Sequence, residues 1–157
     1  MNNLNELSAY ELCLNHARAD RVLRTSVSKQ LDDLDITMME WLLLGVVCSG
    51  PNDGVSMSAI AKSLDVTLPQ VTALTNKVMQ TKLAKQKTQT NDRRSRHILA
   101  TSKGRALLEE SELRVGSMLK SWVADKDHVQ IQSYIETVNM IARHEAEDHS
   151  DSEEATV

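Results

Sequence analysis

Helix-breaking residues are few in this chain, and they are bunched. The 157 residues include five glycines and two prolines, and the first 44 contain neither. Gly45, Gly50, Pro51 and Gly54 then crowd around the segment 49–54. The run from Pro69 to Gly104 is again uninterrupted, and beyond it only Gly116 intervenes. Gly and Pro are the strongest local punctuation in a sequence. Long stretches without them, with no Phe and little alternation of β-branched residues, read as helix. A chain of this length buries a core without disulfides or a structural metal, and one domain is the expectation. No apolar run reaches the ~18 residues of a membrane span, and the first residues do not read as a secretory signal. Two cysteines, Cys13 and Cys48, make no disulfide scaffold. The expected location is the cytoplasm, with reduced thiols.

Helix boundaries follow from capping chemistry. A first helix is expected from about Asn5 to Leu31, with Leu7, Tyr10, Leu14 and Ala17 on one stripe and Leu23, Val27 and Leu31 on another. Thr37 followed by Glu40 is a capping-box pattern, opening a helix through the apolar stretch 41–44. Ser56 is an N-cap candidate for a short helix ending near Leu64. Thr67 caps the next, with Pro69 in its first turn, where a missing N–H costs little. That helix is expected to reach Lys82. Two more close the chain: one from Ser102 to Val123, and one after Asp125 with Ile131, Tyr134, Ile135, Val138, Ile141 and Ala142 on one face. The apolar faces of the terminal helices favour a helical dimer interface.

Charge is unevenly distributed. The net charge is −4, yet residues 56–105 hold ten of the 18 basic residues and only two of the 22 acids, Asp65 and Asp92. A cationic middle between acidic ends suits an anionic polymer. A chance cluster on a solvated face is the alternative.

The segment from Ser56 to Lys77 resolves that choice. A helix-turn-helix needs two helices crossing steeply over a tight turn, a small residue where they touch, and apolar residues filling the angle. Counting from Met57, the apolar Ile60, Leu64, Val66, Val71 and Leu74 fall at positions 4, 8, 10, 15 and 18, with Ala61 at position 5. Asp65 occupies the turn, where a left-handed backbone is tolerated. Val71, Leu74 and Val78 then face inward. Gln70, Thr72, Ala73, Asn76 and Lys77 face outward, and no acid is among them. Amides pair with adenine, Thr and Ala contact thymine methyls, and Lys reaches guanine or phosphate. Residues 85–101 follow, with Lys85, Lys87, Arg93, Arg94 and Arg96 around a turn-forming Asn91-Asp92 pair. A basic hairpin after such a helix is a wing, and arginines at its tip suit a narrow minor groove.

These residues resemble the MarR family of winged-helix transcription regulators. The resemblance is carried by Val55, Ser56, Ile60 and Ala61, by Val71, Leu74 and Lys77, by Asp92-Arg93-Arg94-Ser95, and by Thr101-Ser-Lys-Gly104. It is strong over residues 34–104 and extends to 5–145. The expected fold is therefore mainly α with a small β-hairpin wing: a winged helix-turn-helix with long N- and C-terminal dimerisation helices. The implied division is a dimerisation helix over 1–33, the winged helix-turn-helix over 34–101, dimerisation helices over 102–145 and a disordered acidic tail over 146–157. The resemblance implies a homodimer that reads a pseudo-palindromic duplex and acts as a repressor released by a small ligand. Asp92 would brace the wing, and Arg94, with Arg96, would enter the minor groove. Lys62, Lys77, Lys85, Lys87 and Arg93 would meet phosphates. Lys82 departs from the family, which favours Gly after the recognition helix, and Ala84 and Gln86 also replace commoner residues.

Small phenolic or lipophilic effectors are common in the family. His16, Arg18, Met38 and Trp41 are candidates for holding one, against the plainer readings of helix surface and core. One branch senses organic hydroperoxides through a first-helix cysteine, and Cys13, 22 residues before Asp35, matches that spacing. Val27 and Met38 stand where the branch has assisting tyrosines, so Cys13 reads first as a small buried hydrophobe. His144 and Asp148 are spaced to share a metal, but they lie at a helix end entering an acidic segment, and neither metal nor cofactor is expected. There is no Gly-rich phosphate loop, Gly-x-Ser-x-Gly elbow, His-Glu-x-x-His or Cys-x-x-Cys, which argues against an enzyme. A winged-helix module that binds a protein partner is the rival reading.

Overall fold

The computed structural model describes residues 8–88 and 96–148. In chain order the elements are α1 (Ala9–Leu31), a 3-10 turn (Asp32–Leu34), α2 (Met38–Ser49), β1 (Val55–Ser56), α3 (Met57–Leu64), α4 (Leu68–Gln80), β2 (Ala84–Thr88), β3 (Arg96–Ala100), α5 (Ser102–Trp122) and α6 (His128–Asp148). The strands form an antiparallel sheet in the order β1-β3-β2, with Val55 opposite Ile98 and Gln86 opposite Ile98 from the other side. The helical reading and the hairpin are borne out, and the structure adds the two-residue β1 and the 3-10 turn. Among the described residues, no helix is long and apolar enough to cross a membrane.

The chain forms two compact units, Met1–Gly116 and Ser117–Val157, with α5 running from one into the other. In the first unit, Leu31, Leu43, Leu44, Ile60, Val71, Val78 and Ile98 are fully buried. Each such aliphatic side chain stabilises the fold by about 1.5–3 kcal/mol relative to exposure. The first half of α1 is mostly exposed, Tyr10 by 75% with Leu14 half-buried, and full burial begins at Val27.

The caps are mostly where side-chain chemistry placed them. Thr37 and Glu40 form the reciprocal box at α2, with Glu40 Oε2 accepting from the Thr37 N–H at 2.7 Å. Ser56 Oγ accepts from the Ala59 N–H at 3.2 Å. At α6 the cap is Asp127 rather than the expected Asp125: its carboxylate accepts from the Gln130 N–H at 2.8 Å, and Gln130 reaches back to the Asp127 N–H at 3.2 Å. The box needs an acceptor three residues before Gln130, which Asp127 supplies and Asp125 does not.

The second unit buries little of itself. On α6, Tyr134, Ile135, Val138, Met140 and Ile141 are exposed, and Ile131 is half-buried. Its apolar stripe is present as expected and has no core to enter within that unit.

Candidate nucleic-acid interface

Helices α3 and α4 pack across a turn at Asp65, whose φ of 51° is left-handed. Its carboxylate side chain tolerates that region better than most. Ile60 and Val71 are fully buried in the angle, and Leu64, Val66 and Leu74 are half-buried at its rim. The inward face of α4 is Val71, Thr75 and Val78. Thr75 is the polar member; its hydroxyl donates to the Val71 carbonyl at 2.8 Å, so nothing polar is left unsatisfied there. All five expected outward residues, Gln70, Thr72, Ala73, Asn76 and Lys77, are exposed on the opposite side.

Three of those side chains are already engaged. Gln70 Oε1 accepts from both the N–H and the hydroxyl of Thr67 at 2.9 Å, closing a capping box. The Thr-x-x-Gln spacing carries the signal for that box in the sequence, beyond the cap at Thr67 alone. Thr72 Oγ1 donates to the Leu68 carbonyl at 2.9 Å. The Lys77 ammonium pairs with Glu40 Oε1 at 3.2 Å, with the lysine side chain 60% exposed and the glutamate 8%. Burial alone would raise the Glu40 pKa; the hydrogen bonds from Thr37 and Lys77, with the Lys77 charge, outweigh it and hold the carboxyl below its ordinary value. A buried carboxylate of α2 is thus tied to the exposed face of α4. No local sequence signal gives this contact between residues far apart in the chain.

The wing strands place their cations on two faces. Side chains alternate across a strand, and Lys85 and Lys87 stand opposite Leu99 and His97 on one side. Arg96 shares the other side with the buried Ile98 and Ala100, at the end where exposure begins. Lys62 is exposed on α3. Asp92, Arg93 and Arg94 lie outside the described residues, as does the wing tip over 89–95. The acidic segment over 149–157 lies outside them too.

The joint between α4, the wing and α5 explains two motif positions. Lys82 has φ 62°, so the lysine takes the left-handed backbone for which glycine is usual, and the chain path is kept. That conformation costs a non-Gly residue about 1–2 kcal/mol. Thr101 then clamps the turn: its hydroxyl donates to the Lys82 carbonyl at 2.7 Å and accepts from the Gly104 N–H at 3.1 Å. A Cβ on Gly104 would collide with the Leu83 carbonyl, so glycine is required for α5 to approach. Lys103 Nζ donates to the Thr81 carbonyl at 2.9 Å, answering the carbonyls at the end of α4.

The candidate effector residues fall in two places. His16 and Arg18 are exposed on the outer half of α1, whereas Met38 and Trp41 are half-buried at the start of α2. The Trp41 indole N–H is buried with no hydrogen-bond partner among the described residues. Cys13 is exposed in the single chain, which corrects its reading as a small buried hydrophobe: on this part of α1 the neighbouring Leu14 turns inward and is half-buried, while Cys13 and Leu12 are on the open side. Cys48 is half-buried, and burial pushes its thiol pKa up, with Arg105 opposing in part.

No protein-family model and no curated protein matches the sequence. The fold does match solved structures. A MarR-family transcriptional regulator from Rhodococcus sp. RHA1 superposes with a TM-score of 0.78 at 18% identity, over 87% of this chain and 96% of that one. CouR from Rhodococcus jostii RHA1, solved bound to p-coumaroyl-CoA, gives 0.78 at 19% identity, over 90% and 96%. The MepR–DNA complex from S. aureus gives 0.73 at 21%, over 87% and 97%. The superpositions span nearly the whole of each neighbour, and this chain has the winged helix-turn-helix fold of the MarR-family regulators.

Proposed function

We propose that the protein is a homodimeric transcriptional regulator that binds double-stranded DNA and represses until a small molecule releases it. The observation that carries the reading is the two-sided α4. One face is sealed into the helix-turn-helix by Val71, Thr75 and Val78, and the other presents Gln70, Thr72, Ala73, Asn76 and Lys77 with no acid among them. In this docking the outer face enters the major groove. Lys62, Lys85, Lys87 and Arg93 meet phosphates, Asp92 braces the wing, and Arg94 with Arg96 enters the minor groove. The exposed stripe on α6 is the surface a second copy covers, so that two lobes meet half-sites about one helical turn apart. The unpartnered Trp41 N–H, beside Met38, is the donor an effector's oxygen would take; CouR, with the same fold, holds p-coumaroyl-CoA.

A mobility-shift titration across salt concentrations tests this. Duplex binding should weaken steeply as salt rises, because several phosphates are neutralised per lobe. Binding to a basic protein partner with no affinity for duplex would establish the rival class instead. A second reading, a thiol switch, is favoured by the exposure of Cys13. Loss of binding on treatment with an organic hydroperoxide, abolished in Cys13→Ser, would establish it.

A further inference from the structure

The groove-facing end of α4 is more hydrocarbon than its sequence suggests. Leu68, the first residue of the helix, is 52% exposed, a large apolar side chain beside Pro69 with no core function. Two polar atoms near it are already engaged, the Gln70 oxygen with Thr67 and the Thr72 hydroxyl with the Leu68 carbonyl. With its hydroxyl folded back along the helix, Thr72 offers its methyl, and the adjacent Ala73 offers another. Residues at the start of a recognition helix are the ones that meet base edges. In the major groove the hydrocarbon feature of a base pair is the 5-methyl group of thymine.

We infer that this helix selects its operator chiefly by thymine methyl groups, with Leu68 as the main specificity-determining residue and Thr72 and Ala73 beside it. The inference rests on the DNA-binding reading above and goes further, to the class of sequence recognised: half-sites with thymines displayed under the first turns of α4. Asn76, two turns along, is left to read the flanking adenine.

The test uses the full-length protein and duplexes selected from a random pool. Each half-site thymine is replaced by uracil, which keeps Watson–Crick pairing and removes only the methyl. Affinity should fall about fourfold for each methyl that Leu68, Thr72 or Ala73 covers, the factor expected for one buried methyl. Leu68→Ala should weaken binding to the thymine duplex and cut its advantage over the uracil duplex by the methyls that Leu68 covers, leaving the share of Thr72 and Ala73. Equal affinity of the wild-type protein for the two duplexes overturns the inference and leaves the DNA-binding reading standing. So does a Leu68→Ala protein that keeps the full thymine advantage, or a selected half-site without thymine. Failure to bind any duplex overturns both.

Discussion

Glu40 is the buried carboxylate on which two elements converge, and removing its charge separates their contributions. Oε2 serves α2, accepting from the Thr37 N–H at 2.7 Å and the Thr37 hydroxyl at 2.6 Å; Oε1 serves α4 through Lys77 at 3.2 Å. Glu40→Gln keeps the shape and, with its amide oxygen on Thr37 as Gln70 has at Thr67, keeps the box, but it turns its amide donors on the Lys77 ammonium. The Lys77 contact is worth about 0.5–1 kcal/mol, because the lysine is exposed and screened. Its loss is roughly a 1–4 °C fall in Tm for a chain of this size. Lys77→Met removes only the second contact, and a thermal-denaturation cycle of the two variants should show a coupling of about 0.5–1 kcal/mol. The pH dependence has a definite sign. The folded carboxyl sits below its ordinary value, so the unfolded chain binds the proton first on acidification. Glu40 therefore stabilises the fold above the ordinary glutamate range and loses that contribution as pH falls through its lowered folded value. Glu40→Gln should flatten that part of the acid limb. Two additive variants with unchanged acid limbs would refute the idea that Glu40 joins α2 to α4. If Lys77 positions α4 rather than neutralising phosphate, Lys77→Met should leave the salt slope of DNA binding unchanged; a slope lower by about one would assign it to phosphate.

Other substitutions follow from single contacts. Gly104→Ala should destabilise by about 1–3 kcal/mol or more, read as a fall in Tm, because the new Cβ meets the Leu83 backbone rather than a side chain that can move. Lys82→Gly should stabilise by up to about 1 kcal/mol in urea denaturation by relieving the left-handed lysine, offset in part by the added freedom of the unfolded chain. Ile135→Asp with Ile141→Asp should convert a dimer to a monomer in sedimentation velocity while leaving the first unit's core intact. Arg94→Ala should weaken operator binding by about 1–3 kcal/mol without unfolding the protein.

What was legible in the sequence was local. The Thr37–Glu40 box, the Ser56 and Thr67 caps and the left-handed Asp65 depend on residues within one turn, so residue type and spacing suffice. The helix-turn-helix was legible for a related reason: its apolar positions repeat at helical spacing around one small residue, Ala61. The Glu40–Lys77 pair was not, because folding brings the two together from separate helices and neither residue is unusual on its own. Cys13 was misread because an apolar neighbourhood in sequence, Leu12 and Leu14, says nothing about whether anything lies beneath it. Leu68 was passed over for a similar reason: at the start of a helix a leucine looks like core until its exposure is seen. Lys82 shows the reverse. It departs from the glycine that suits such a turn, yet the Thr101 clamp and the close approach of Gly104 fix the turn firmly enough for lysine to adopt it.

The same contacts revise the electrostatic argument that first pointed to nucleic acid. Ten cations in residues 56–105 make a strongly positive window, but a count along the chain does not say where each charge works. Lys77 is paired with Glu40, Lys103 answers the Thr81 carbonyl, and Arg105 reaches the Cys48 carbonyl at 3.4 Å, near the end of α2. Cations beside helix C-termini stabilise the helices themselves. Among the described residues, the charges left for a duplex are those on open surface: Lys62 on α3, Lys82 after α4, and Lys85 and Lys87 on one face of the hairpin, with Arg96 on its opposite face. A hairpin with cations on both faces suits a groove with phosphate walls on either side better than it suits a flat anionic surface. Winged-helix docking presents such a groove, and alternation along two paired strands is enough to produce the arrangement.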